Sequence, residues 1–214
     1  MDIPPPSVPD SRLDDWRQTE QTVDLPFSTP FVSVVTHTCV YEEASQRQQI
    51  HDRTRFDHAW RFFFASRIRL DPPQSPSRML TSIIRPQVAA AFVGRLSDRG
   101  FDSIRETATQ QVTVGGANGV RKRYRARCRL TVEPSTTDET SDDPTVDGPL
   151  SVSLPVEGYL AIWVDDDYYV AGGAYPSGAP DSGPQNLLAA LSELIDPTAA
   201  REELLALIDG CGET

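Results

Sequence analysis

Five arginines recur at every second position: Arg121, Arg123, Arg125, Arg127 and Arg129. In an extended strand alternate side chains share a face, so this spacing puts five guanidinium groups in one line. Such a row suits recognition of an anion. Each planar fork binds carboxylate or phosphate oxygens in pairs and stays charged at any working pH. Arg67 and Arg69 repeat the spacing, and with Arg61 they extend the row if their strand lies nearby. Residues 61–129 hold 14 basic and 4 acidic residues, within a chain of net charge −11. Like charges in a line repel, so something must answer them. Glu106, Glu133, Glu157 and the triplet Asp165, Asp166, Asp167 are internal answers, acting as cross-strand pairs. The external answer is an acidic protein or a small anion, which makes the chain a non-catalytic binding or adaptor module.

Two alternatives use the same arginines. One is an enzyme whose pocket between sheet and helices holds an anionic small molecule. The other is a nucleic-acid binder, which salt disfavours: the screening length falls to about 3 Å at 1 M, and released counterions then contribute little. Of the nearby aromatics, Tyr124 interrupts the row, and Phe63 shares a strand face with Arg61, Arg67 and Arg69.

Other chemistry is thinly represented. His37 and Cys39 share a strand face, with His51 and His58 beyond, but the four lack the compact ligand spacing of a metal site. A Cys39–His37 nucleophile pair has no identifiable orienting acid. The run Gly115, Gly116, Ala117, Asn118, Gly119 lacks the lysine and serine of a phosphate loop and suits a hairpin turn. Gly172 and Gly173 permit a close approach, or mark a bulge or strand end. Asp165, Asp166 and Asp167 lack the glycine and distal glutamate of a calcium loop and read as a solvated turn. No catalytic, cofactor-binding or metal-ligating residue is assigned.

Composition sets the frame. Lys122 is the only lysine among 20 basic residues, against 31 acidic ones. Abundant carboxylates with arginine in place of lysine resemble the proteins of salt-loving archaea, where surface charge keeps chains soluble. Three scattered cysteines with no CxxC pair argue against a disulfide framework or thiolate zinc site. The first residues carry no leader pattern, and the longest apolar run, 88–93, is far short of the ~20 residues a membrane span needs. A cytoplasmic protein is expected.

The elements that must position the arginines follow from periodicity. Residues 1–24 read as a flexible, proline-rich, acidic arm, and 25–210 as a single α+β domain. Strands are predicted over 31–41 and 60–70, then a helix opening near Ser75-Pro76, kinked or restarted at Pro86 and stopped at Gly100. Hairpins follow over 104–132 and 156–175, separated by a mobile acidic loop at 134–149. Pro155 suggests an edge strand or bulge there. Helices over 186–195 and from Asp196-Pro197 to Gly210 close the chain. The sum is a sheet of about six mainly antiparallel strands, in the order ββαββββα, with helices packed on one face.

That element order resembles the Mog1/PsbP-like fold, a likeness of order alone that carries over no functional residue. The stretches Trp60-Arg61-Phe62-Phe63-Phe64-Ala65-Ser66 and Tyr169-Val170-Ala171-Gly172-Gly173-Ala174-Tyr175-Pro176 make the chain similar to uncharacterised conserved proteins of haloarchaea. That resemblance implies no activity.

Overall fold

The computed structural model describes residues 3–28, 33–54, 56–132 and 150–211. The predicted acidic loop at 134–149 and the predicted strand start at 31–32 lie outside the described residues. Among the described residues the architecture is α+β: seven strands in one antiparallel open sheet, with four α-helices. The strands are β1 (Trp16–Ser28), β2 (Ser33–Glu43), β3 (Phe62–Asp71), β4 (Phe101–Val114), β5 (Ala117–Val132), β6 (Leu150–Val164) and β7 (Tyr168–Pro176). Their spatial order is β1-β2-β3-β7-β6-β5-β4. The helices are α1 (Ala44–Thr54), α2 (Arg78–Asp98), α3 (Gln185–Leu194) and α4 (Pro197–Gly210).

Both faces of the sheet are apolar at the centre, so both must be covered. On one face Phe62, Phe64, Tyr124, Leu160 and Ile162 pack against Ile50 of α1, Phe92 and Leu96 of α2, and Leu191 of α3. On the other, Phe63, Tyr159, Trp163 and Tyr175 pack against Leu204, Leu207 and Ile208 of α4. This corrects the expectation that the helices share one side. Burying large side chains contributes about 1.5–3 kcal/mol each, so an aromatic strip that wide is not left in water. The first turn of α4 is firmly capped. Asp196 accepts the Thr198 and Ala199 backbone N–H groups (both 3.0 Å), and Pro197 takes the opening position.

Gly172 and Gly173 fit this packing. A Cβ at Gly173 would collide with the Phe62 carbonyl oxygen and lie 2.8 Å from Leu204 Cδ1. The close approach inferred from the glycine pair is made by the protein itself.

Three further expectations change. The arm read over 1–24 contains the edge strand β1, which pairs with β2 from Trp16↔Glu43 to Ser28↔Ser33. Its described side chains are nearly all exposed apart from Trp16, so no alternation of polarity marks it and the backbone ladder alone makes it a strand. α2 runs unbroken through Pro86 and is capped by Ser77, whose Oγ accepts the Leu80 N–H (3.2 Å). Pro155 sits inside β6, between β5 and β7 in the sheet. Its carbonyl accepts the Ser177 N–H (2.9 Å) on the β7 side, so its missing N–H points to that side as well. Pairing of β6 with β7 begins only at Val156↔Pro176, so no ladder bond is lost.

The edges are irregular. β1 carries register shifts between Gln18 and Glu20 and between Asp24 and Phe27; β4 carries them between Asp102 and Arg105 and between Glu106 and Ala108. Bulged edges resist pairing with another strand.

Candidate functional site

β5 is regular from end to end against β6, and this is what lines up the arginines. Arg121, Arg123, Arg125, Arg127 and Arg129 stand opposite Ala161, Tyr159, Glu157, Pro155 and Ser153. They occupy the sheet face that α4 partly covers, while Tyr124, Ala126 and Cys128 are buried on the other. The predicted common face is therefore present.

Along the row the surroundings change. At the inner end Arg121 faces Asp209 of α4 (3.4 Å), and its side chain is 17% exposed. Arg123, 33% exposed, is bound to Glu157, a buried carboxylate that also takes Arg125 at 3.4 Å. Tyr175 Oη donates to the same carboxylate (3.0 Å), as does Tyr159 Oη at 3.5 Å, and Arg201 Nε donates to Tyr159 Oη (3.1 Å). Burial alone would raise the Glu157 carboxyl, but hydrogen bonds from Arg123 and Tyr175 outweigh it and hold the group below its ordinary value.

The outer end is open. Arg125, Arg127 and Arg129 are 53%, 49% and 71% exposed. Arg127 meets Asp181 (2.7 Å), in the segment after β7, and Arg129 meets Asp102 (3.2 Å) on β4. Arg105 stands opposite Arg125 in the β4–β5 ladder and adds charge of the same sign. Beneath Arg127 and Arg129 lies a cleft of about 410 Å³, lined also by Thr131, Ser151, Val152, Ser153 and Ser182. The hydroxyl residues escaped the sequence reading. Ser151 and Ser153 alternate on β6 as the arginines do on β5, and that shared period of two was the available signal.

Of the acids named as internal answers, Glu157 serves the row. Glu106 instead pairs with Lys122 (2.7 Å), and Glu133 lies outside the described residues. The Asp turn answers other arginines: Arg67 binds Asp166 and Asp167 (both 2.6 Å), and Arg69 binds Asp167 (2.8 Å). Arg67 and Arg69 therefore do not extend the row. They share its face, but β7 and β6 intervene, and Arg67 lies opposite Tyr169, near the end of the sheet away from Arg129. Arg61 is buried, ion-paired to Glu203 of α4, and stacked over the Trp16 ring at 5.3 Å.

The histidines and cysteines are dispersed. His37 is buried between the Ile3 carbonyl at Nδ1 (2.8 Å) and the Gln21 amide at Nε2 (2.8 Å). Cys39 is buried on the same face, and that burial raises its thiol. His58 Nε2 lies 3.7 Å from Cys128 Sγ, a pair not foreseen in the sequence. Burial pushes that thiol up to about 11 and the imidazole down, so neither is poised as thiolate or imidazolium. Among the described residues no group of three or more His, Cys, Asp or Glu is placed to hold a metal ion.

A family model matches residues 5–212. The chain belongs to the family described as domain of unknown function DUF6517. Neither the curated proteins nor the solved structures give a match. Family membership thus assigns no activity, and the chemistry of the DUF6517 fold has to be argued from the site itself. A second cleft, of about 420 Å³ and lined by Arg12, Asp14, Asp15, Glu202 and Glu203, lies between the turn at Asp10–Arg12 and α4. Neither cleft sits between the sheet and the helices, where the enzyme alternative expected its pocket. Among the described residues no helix is long and apolar enough to cross a membrane.

Proposed function

We propose that this DUF6517 protein is a non-catalytic binding module whose contact surface is the outer half of the arginine row, and that its partner presents an anionic group. The observation carrying this reading is the split in exposure. Arg121 and Arg123 are 17% and 33% exposed and committed to acids of the fold, whereas Arg125, Arg127 and Arg129 are about half exposed or more. Exposed ion pairs contribute only about 0–1 kcal/mol, so an incoming carboxylate or phosphate displaces Asp102 or Asp181 at small cost. The composition supports a cytoplasmic, haloarchaeal setting. The Mog1/PsbP-like element order is compatible with a sheet face used for docking.

Nucleic acid fits this surface less well. Tyr124 and Phe63 are buried, and so are Tyr159, Trp163 and Tyr175 on the row's own face, leaving no base-stacking platform among them.

A second reading has its own observation. Every guanidinium of the row has a carboxylate of the chain within 3.4 Å, as a row that serves only to neutralise the fold would have. The two readings part on a direct test. Binding of a polyglutamate peptide is measured by calorimetry at 0.1 M and 1 M NaCl, for the wild type, for Arg125→Glu/Arg127→Glu/Arg129→Glu, and for Arg53→Glu as a distant control. The binding reading expects affinity in the wild type and the control and its loss in the triple variant, with an unchanged fold by circular dichroism. Equal affinity in all three chains, or none in any, leaves the structural reading.

A further inference from the structure

We infer that the cleft under Arg127 and Arg129 is a site for a tetrahedral oxyanion, the phosphate group of a small phosphorylated molecule or free phosphate. This rests on the anionic-contact reading above and names its chemistry.

Three chain segments converge there. β5 sets Arg127 and Arg129 two residues apart on one face, opposite Pro155 and Ser153 of β6, and both residues line the cleft. β6 places Ser153 opposite Arg129 and Ser151 opposite Thr131. The segment after β7 runs antiparallel to β6 at Ser153↔Ser182, held by the Ser153 N–H on the Ser182 carbonyl (3.1 Å) and the Asp181 N–H on the Ser153 carbonyl (2.8 Å). The result is two cationic forks and four hydroxyl groups around a space of about 410 Å³.

Three features select the ligand. First, among the described residues no carboxylate lines the cleft: Asp102 and Asp181 hold the guanidinium groups without being among the lining residues. Second, Ser153 Oγ is buried and has no hydrogen-bond partner. A buried hydroxyl left unpaired is a standing cost, and a ligand oxygen above it removes that cost. Third, the donors come from several directions. A carboxylate offers two oxygens in one plane and is satisfied by a single fork, whereas a phosphate offers three or four around a tetrahedron. Each guanidinium carries five N–H donors, more than one carboxylate such as Asp181 or Asp102 can take up. The volume exceeds a bare phosphate and falls in the range of small-molecule sites.

Hydroxyl donors also matter for salt. Long-range attraction fades with ionic strength, but a hydrogen bond at contact distance is not screened in the same way, so this cleft retains ligand where a bare arginine patch does not.

The test is a set of nitrogen–proton correlation titrations at constant ionic strength. The probes are inorganic phosphate, glycerol 3-phosphate as the monoester, and acetate as the planar comparator. The chains are the wild type, Ser153→Ala, Arg127→Gln/Arg129→Gln, and Arg53→Gln as control. Expected are phosphate-dependent shifts confined to the backbone amides of Thr131, Ser151, Ser153 and Ser182, with none from acetate. Affinity should weaken about tenfold or more in the double arginine variant and about three- to tenfold in Ser153→Ala, and hold in the control. Tighter binding of glycerol 3-phosphate assigns the site to a phosphorylated molecule; tighter binding of inorganic phosphate assigns it to the free ion. Shifts that acetate reproduces, no saturable shift with either phosphate, or unchanged affinity in Ser153→Ala each overturn the assignment. If phosphate fails while polyglutamate still needs Arg125, Arg127 and Arg129, the oxyanion cleft is lost and the anionic surface stands. If both fail, both are wrong.

Discussion

Arg67 with Arg69, and Arg127 with Arg129, are two pairs of guanidinium groups with the same spacing on the same sheet face, yet their fates differ. The first pair sits beside a tight turn that brings Asp166 and Asp167 back onto it. Asp167, 13% exposed, takes both arginines at once, and the Tyr169 ring lies 5.3 Å below Arg67. The second pair sits where β7 has ended, and each member meets one carboxylate from a different segment, Asp181 or Asp102. Identical residues at identical spacing thus give a closed ion cluster in one place and an accessible surface in the other. The difference lies in whether one turn returns two acids and a ring onto the pair or two separate segments offer it one acid apiece.

The sharpest way to break that comparison is to unpair the closed parts and find nothing lost. Replacing Glu157 by Ala strips Arg123 of its buried carboxylate and Tyr175 Oη of its acceptor. The expected loss is about 3–5 kcal/mol by urea unfolding, with the outer cleft's ligand affinity changed less than twofold in whatever fraction stays folded.

Next comes Asp167→Asn, which leaves Arg69 with a weakened neutral contact and Arg67 with Asp166 as its remaining acid; a loss of about 1–3 kcal/mol is expected. A change below about 0.5 kcal/mol would mean that the closed cluster is no tighter than the open one.

Acid sharpens the same contrast. Because the Glu157 carboxyl is held below its ordinary value of 4.5 in the fold, its contribution is present above that value and drains away as pH falls below it. Between about pH 6 and pH 3 the wild type should therefore lose more stability than Glu157→Gln does, measured as the change in urea midpoint. Parallel losses would contradict the assignment.

The smallest effect belongs to the open pair. Arg127→Gln and Arg129→Gln should each change stability by no more than about 0.5 kcal/mol, since exposed single pairs contribute little. A loss above about 1 kcal/mol would make the outer end structural after all.

Much of this was legible before any coordinates. The period of two at Arg121, Arg123, Arg125, Arg127 and Arg129 was enough to set a common face, because the intervening Tyr124, Ala126 and Cys128 have only one place to go. The glycine turn and the aspartate turn were equally readable, since their residues favour tight reversals. β1 was not, because an exposed edge strand leaves no polarity pattern. The placement of α4 was not either. Phe62, Phe63 and Phe64 are consecutive, which says that both faces of β3 are buried but not which helix covers which. The acids that answer each arginine depend on strand order, and Asp181, Asp102 and Asp209 lie far from their partners in sequence. Ser151 and Ser153 were visible as letters, but the cleft they line exists only once the segment after β7 returns past β6.

The position of helix α4 in the chain carries a consequence for biosynthesis. It follows all seven strands in chain order, so a polypeptide that has emerged only through β7 displays Phe63, Tyr159, Trp163 and Tyr175 as a bare aromatic plank. Until Leu204, Leu207 and Ile208 close over it, that plank is a surface for chaperones or for unwanted self-adhesion. Truncation before residue 197 should therefore cost solubility out of proportion to the 14 residues of the missing helix.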